Sequence, residues 1–135
     1  MADDGRPEGA AGRSHGKRPL VLVVDDDVDI ADSIGDVLRG GGYDVEQVGD
    51  GAAALAAATR ARPGLILLDW RLPNEPAGSA LVRRLRDACG RPVPVVVLSA
   101  DPQSLHEARA AQVSDYLPKP FDVRDLLQLV DEHCD

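Results

Sequence analysis

Several polar side chains stand just after short apolar runs: Asp25 and Asp26 after Leu20–Val24, Asp69 after Leu65–Leu68, Ser99 after Val93–Leu98, and Lys119 after the shorter run Ser114–Leu117. Open α/β sheets bind ligands at the carboxyl ends of their strands, so if these runs are neighbouring strands the groups converge on one edge. Carboxylates brought that close repel one another, and at least one pKa rises unless a hard dication with a preference for oxygen neutralises them. Magnesium suits such a site, because it takes one or two carboxylates together with waters and phosphoryl oxygens. Lys119 supplies a second positive charge, facing whatever anion arrives. An aspartate between a metal and a lysine is placed to act as a nucleophile toward a phosphoryl group. Phosphoryl transfer asks of the protein little beyond positioning and charge neutralisation.

Taken singly, each of these residues has a blander reading. An Asp at a strand end is ordinarily a turn residue or helix cap, Ser99 alone reads as an N-cap, and a Lys before a Pro is ordinarily solvated. Their joint placement after the first, third, fourth and fifth apolar runs favours a site.

The elements that must position them alternate from Pro19 onward between short β-branched runs and longer segments of helical period, the pattern of a βαβ series forming a parallel sheet. The first strand is Leu20–Val24, and Ile30, Ile34, Val37 and Leu38 then mark one face of a helix that Asp27 or Asp29 caps. Gly40, Gly41 and Gly42 stop it. Tyr43–Val48 reads as the second strand, and Ala52–Arg62 as an alanine-dense helix ended by Pro63. Leu65–Leu68 is the third strand, and a loop holding Pro73, Asn74, Pro76 and Gly78 leads to a helix with Leu81, Val82 and Leu85 inward. Val93–Leu98, a short helix over 102–111, a strand at 114–117 and a final helix begun by Asp122, with Leu126, Leu127, Leu129 and Val130, complete the series. Residues 1–18, rich in Gly, Arg, Asp and Ser, bury almost nothing and read as a disordered extension, which leaves 19–135 as one domain.

Composition narrows the classes. The net charge of -8 argues against a nucleic-acid surface, and Arg83, Arg84 and Arg86 read as the solvated face of an amphipathic helix. Cys89 and Cys134 have no ligand spacing around them, so neither a disulfide framework nor zinc is implied. No apolar run is long enough for a leader or a membrane span, which points to the cytoplasm. With Met1 at its start and the last helix at its end, the chain is expected to work as a single domain whose output passes through a partner.

The segments Val23-Val24-Asp25-Asp26-Asp27, Leu67-Leu68-Asp69-Trp70-Arg71-Leu72-Pro73, Val97-Leu98-Ser99-Ala100 and Tyr116-Leu117-Pro118-Lys119-Pro120-Phe121 together resemble the response-regulator receivers of two-component systems, the stand-alone chemotaxis receivers among them, over roughly residues 19–134. The resemblance implies a doubly wound, flavodoxin-like α/β fold, a five-stranded parallel sheet of order 2-1-3-4-5 with five helices. It implies that Asp69 is the phosphoacceptor, that Asp25, Asp26, Asp69 and the backbone carbonyl of Arg71 hold Mg2+ or Mn2+, that Ser99 and Lys119 contact the phosphoryl group, and that Ser99 and Tyr116 form the switch. Tyr116 is expected to turn inward as the hydroxyl moves toward the phosphoryl group, and Lys119-Pro120 to be cis. The implied partners are a sensor histidine kinase or histidine phosphotransfer protein and an effector protein meeting the face of helix four, strand five and helix five, with the domain itself a monomer or weak homodimer contacting neither nucleic acid nor membrane.

Three features depart from the family pattern. Gly78 stands one residue further from Asp69 than expected, so the loop over 74–78 should bulge. Gln112 and Val113 replace the usual Gly-Ala before strand five, and the turn there should be less permissive to positive φ. Arg71 and Asp101 occupy two variable positions, from which their side chains are expected to meet across the site and hinder the water that hydrolyses an aspartyl phosphate. The rival readings are a pseudo-receiver that keeps the fold without phosphorylation, an aspartyl-nucleophile phosphatase, disfavoured because position 71 is Arg where a second Asp is needed, and a nucleotide- or flavin-binding domain, disfavoured because no Gly-rich loop follows the first strand.

Overall fold

Apolar residues recur at both parities along the central runs, so each strand buries two faces, as a parallel sheet clad in helices requires. The computed structural model describes residues 19–72 and 78–134. The expected extension over 1–18, the loop residues 73–77 on which the expected bulge falls, and Asp135 lie outside the described residues. The elements are β1 (Leu20–Val24), α1 (Val28–Gly40), β2 (Asp44–Val48), α2 (Gly51–Ala61), β3 (Leu65–Asp69), α3 (Gly78–Cys89), β4 (Val95–Ser99), α4 (Pro102–Ala110), β5 (Asp115–Pro118) and α5 (Val123–His133). The five strands are parallel and lie in the order β2-β1-β3-β4-β5.

Alternate side chains of the strands build two cores. Leu22, Val24, Ile66, Leu68, Val95 and Val97 face α2, α3 and α4, whose Ala54, Ala57, Ala58, Leu81, Val82, Leu85 and Ala108 meet them. Val21, Val23, Leu65, Leu67, Val96 and Leu98 face α1 and α5, meeting Ala31, Ile34, Leu38, Leu126 and Val130. Alanines on α2 bring its backbone close to the sheet, whereas α4 is thinly seated, with only Ser104 and Ala108 buried.

Helix starts follow side-chain caps. Asp27, not Asp29, caps α1, accepting from the Asp29 and Ile30 amides at 3.0 and 3.2 Å. Asp50, Asp101 and Asp122 cap α2, α4 and α5 in the same way. Tyr43 lies outside β2 because its amide closes the turn after α1, donating to the Leu38 carbonyl at 3.1 Å, while its ring is buried and its hydroxyl donates to Asp131 of α5. Val93 lies outside β4 because Pro94, which has no N–H to give a ladder, intervenes; the Pro94 carbonyl still accepts from the Ile66 amide at 3.0 Å. None of the helices among the described residues is long and apolar enough to cross a membrane.

Two expectations fail at the turn after α4. Gln112 adopts φ 59° despite its side chain. Arg86, expected on a solvated face, instead donates to the Val93 and Gln112 carbonyls at 3.2 and 3.1 Å and holds that turn from α3. Arg83 and Arg84 are exposed as expected. A left-handed non-glycine residue costs about 1–2 kcal/mol, and glycine gives back about 0.5–1 kcal/mol of that in unfolded-chain entropy. Gln112→Gly should therefore raise the unfolding free energy by about 0.5–1 kcal/mol in a urea titration, and Gln112→Val should lower it.

Candidate functional site

The order β2-β1-β3-β4-β5 reverses direction between β1 and β3, and a crevice opens at the carboxyl ends of these two strands. Register places the chemistry there: Val24 pairs with Leu68, so Asp25 and Asp69 follow at one level, and Asp69 pairs with Leu98, which puts Ser99 next to it. Ser99 in turn pairs with Pro118, and Lys119 follows. Backbone bonds extend the ladders past the strands, from Asp25 N–H to Val48, from Trp70 N–H to Leu98 and from Lys119 N–H to Ser99, at 2.9–3.1 Å.

The carboxylates of Asp25, Asp26 and Asp69 offer ligand atoms within 4.8 Å of one another. Asp25 is buried, and its Oδ1 accepts from the Asp27 amide at 2.9 Å. Lys119 Nζ lies 3.4 Å from Asp25 Oδ2 and 3.6 Å from Asp69 Oδ2. The other oxygen of Asp69 accepts from the Arg71 amide at 3.2 Å. Burial pushes the Asp69 carboxyl up to about 6; the Arg71 amide and the Lys119 ammonium pull against that rise, and the Asp25 charge adds to it.

Three carboxylates facing one ammonium leave a deficit of positive charge, and the donors are all hard oxygens, with Asp26 open to solvent. The site fits a small dication such as Mg2+ or Mn2+, for which Asp25, Asp26 and Asp69 would be the side-chain ligands. A second group, Asp115, Glu132 and His133, lies at the amino end of β5, away from this edge, and there His133 Nε2 is 3.0 Å from Asp115.

Ser99 is buried, and its hydroxyl bonds to Ser104 Oγ at 2.9 Å and to the Asp101 amide at 3.1 Å. Tyr116 donates its hydroxyl to the carbonyls of Asp101 and Ser99 at 3.1 and 3.3 Å, so its ring is already turned in while the Ser99 hydroxyl faces α4. Arg71 and Asp101 form the expected ion pair across the mouth of the site, both partly exposed. The Lys119-Pro120 peptide is cis.

Sequence reasoning missed three participants. Trp70 donates its indole N–H to Glu107 of α4 at 2.7 Å, tying the residue beside Asp69 to that helix. The same indole covers Gly78, where an added Cβ would lie 2.7 Å from ring carbons, which accounts for a glycine one residue later than expected. Ser104 is fully buried; its spacing of four from Ala108 on α4 was the signal available.

A family model described as the response regulator receiver domain matches residues 21–131. The DNA-binding response regulator MtrA of Mycobacterium leprae is 37% identical over 113 residues, 84% of this chain and 50% of that protein. The DNA-binding dual master transcriptional regulator RpaA of Synechocystis is 37% identical over 114 residues, 83% of this chain and 47% of that protein. The chain thus spans about half the length of these curated relatives. Among solved structures, the chemotaxis protein CheY4 of Vibrio cholerae superposes with a TM-score of 0.79 at 30% identity, covering 87% of this chain and 99% of that one. The receiver domain of the Francisella response regulator 1452 superposes with a TM-score of 0.75 at 32% identity, over 85% and 95%.

The raised pKa of Asp69 carries a signed consequence. The folded carboxyl holds its proton up to about pH 6, against 3.8 for the free side chain, so its contribution is full in acid and lost as pH rises through 6. Without divalent metal, wild type should lose stability between pH 4 and pH 7 relative to Asp69→Asn, by on the order of 2 kcal/mol once residual solvent screening is allowed for. Urea titrations of both proteins in chelator check this, and parallel pH profiles would refute it.

Proposed function

The chain belongs to the response regulator receiver family, and on that premise we propose that it is a phospho-accepting signalling switch acting through Asp69. The observation that carries the proposal is the Lys119 ammonium set between Asp25 and Asp69 at the open edge of the sheet, with Asp26 beside them. Asp69 Oδ attacks the phosphorus of a phosphohistidine, the P–N bond breaks as the P–O bond forms, and the imidazole nitrogen leaves to be protonated by solvent. Lys119 pairs with one phosphoryl oxygen, and the Arg71 amide keeps the attacking carboxylate oriented. A bound Mg2+ or Mn2+, held by Asp25, Asp26, Asp69 and the carbonyl of Arg71, supplies charge neutralisation for the transferring group. The Ser99 hydroxyl turns to the phosphoryl group, with Tyr116 packed beside it. Hydrolysis completes the cycle: water attacks the phosphorus, the bond to Asp69 breaks and inorganic phosphate leaves, so the protein turns over no substrate but its own acyl phosphate.

The phosphodonor on this reading is a sensor histidine kinase or histidine phosphotransfer protein. It approaches over the site edge, beside which Ile30, Ile34, Val37, Phe121, Val123 and Leu126 line an apolar groove of about 300 Å³ between α1 and α5. Output passes through the face of α4, β5 and α5 to an effector protein. A charge of -8 supports a protein partner over direct contact with nucleic acid. Because phosphohistidine donors draw on ATP, the cytoplasm is the compartment proposed, and a monomer or weak homodimer the state.

Trp70, buried beside Asp69, reports on the cycle. Titrating Mg2+ and then a small phosphodonor should each change its fluorescence, and Asp69→Asn should abolish the donor step. A wild type that binds no metal and takes no phosphoryl group would instead make the chain a phosphorylation-independent interaction module.

On this reading the Arg71–Asp101 ion pair shields Asp69 from hydrolytic water. An exposed pair contributes little to stability, roughly 0–1 kcal/mol, so its removal changes access more than folding. Arg71→Ala should shorten the phosphoryl lifetime several-fold, and an unchanged decay rate would exclude the shielding role.

A further inference from the structure

We propose that Ser104 is a positioning residue that latches the resting state, holding the Ser99 hydroxyl toward α4 and so setting how readily the site closes on a phosphoryl group; this rests on the phosphoacceptor reading above. Among the described residues the buried polar or charged side chains are Asp25, Ser99 and Ser104. The first two belong to the site at the sheet edge. Ser104 lies instead in the first turn of α4, fully buried, and its hydroxyl bonds to Ser99 Oγ at 2.9 Å.

The Ser99 hydroxyl has one proton and two lone pairs. It accepts from the Asp101 amide and gives its proton to Ser104, so both bonds lead into the start of α4 and neither leads to Asp69. The same proton cannot also reach a phosphoryl oxygen. When Ser99 swings toward Asp69 it leaves the buried Ser104 oxygen without a partner, unless the first turn of α4 moves with it. That helix can move at small cost, because Ser104 and Ala108 are its only buried residues and both are small. Phosphorylation at Asp69 is thereby linked to α4 through the Ser99 hydroxyl, whose bonds to Ser104 and to the Asp101 amide both reach the start of that helix. Tyr116 does not separate the two states here, since its hydroxyl already bonds to the Ser99 and Asp101 carbonyls.

Beryllofluoride, with Mg2+, serves as the phosphoryl mimic, and Trp70 fluorescence as the readout. Ser104→Ala removes a bond made only in the resting state, so beryllofluoride should bind about 2- to 10-fold more tightly, the range one net hydrogen bond covers. Affinity for Mg2+ alone should be unchanged, and Ser104→Thr, which keeps the hydroxyl, should restore the wild-type value. In a Ser99→Ala background, Ser104→Ala should have no effect, because the bond is already gone. A residue with only a packing role would lower stability in both backgrounds without tightening the mimic. Unchanged or weaker binding by Ser104→Ala, with wild type responding normally, overturns the latch alone. A wild type that does not respond to beryllofluoride overturns the latch together with the phosphoacceptor reading.

Discussion

Like charges gathered at one edge of the sheet are what the rest of the molecule has to hold. Two carboxylates about 4 Å apart repel by about 4 kcal/mol at an effective dielectric of about 20, several times what one ordinary hydrogen bond returns. The Asp27 and Arg71 amides each bond one carboxylate oxygen, and Lys119 reaches both Asp25 and Asp69, yet burial, with the Asp25 charge adding to it, still pushes the Asp69 carboxyl up to about 6. A site left short of positive charge in this way is receptive to a dication and then to an anion bearing its own oxygens. The strain in the unliganded site and its affinity for ligands therefore have the same electrostatic origin.

Holding the cluster demands a support that does not yield. The central strands β1, β3 and β4 provide it, because residues such as Val23, Leu67 and Val96 are fully buried, as are their neighbours on the opposite face. Register then fixes height: a slip of one residue would send Asp25 or Asp69 to the other face and carry the apolar pattern with it, so the packing that stabilises the sheet also positions the chemistry. The backbone bonds that continue the ladders beyond Val24, Asp69 and Pro118 carry this rigidity onto the site residues themselves.

This link between packing and placement explains why so much was legible in the sequence. Apolar runs of strand length, four of the five followed within two residues by a charged or hydroxyl residue of the site, declare both the sheet and its functional edge, and Asp25, Asp26, Asp69 and Lys119 meet where that reading put them. What stayed hidden depends on side chains that cross between elements far apart in the chain. The indole bond from Trp70 to Glu107, the shelter that indole gives Gly78, and the reach of Arg86 to two carbonyls leave no periodic trace, and neither does the hydroxyl of Tyr43 on Asp131. Gln112 misled for the opposite reason. Its intrinsic preference disfavours positive φ, but the turn is fixed from outside by Arg86 and by its own amide bonding to Arg109.

The contrast between a rigid edge and a loosely seated α4 gives the fold its direction of response. α3 places Leu81, Val82, Leu85 and Cys89 in the core and α5 places Leu126 and Val130, whereas α4 commits one alanine and one serine. What remains to hold α4 is polar: Glu107 on the Trp70 indole, Ser104 on the Ser99 hydroxyl, and the Asp101 carbonyl under the Tyr116 hydroxyl. Apolar packing is indifferent to a new charge several ångströms away, but hydrogen bonds that start beside Asp69 and at the end of β4 are not. On the proposed reading, a phosphoryl group on Asp69 would find α4 the least costly element to displace, and the surface around it the part of the molecule best able to present that change to another protein.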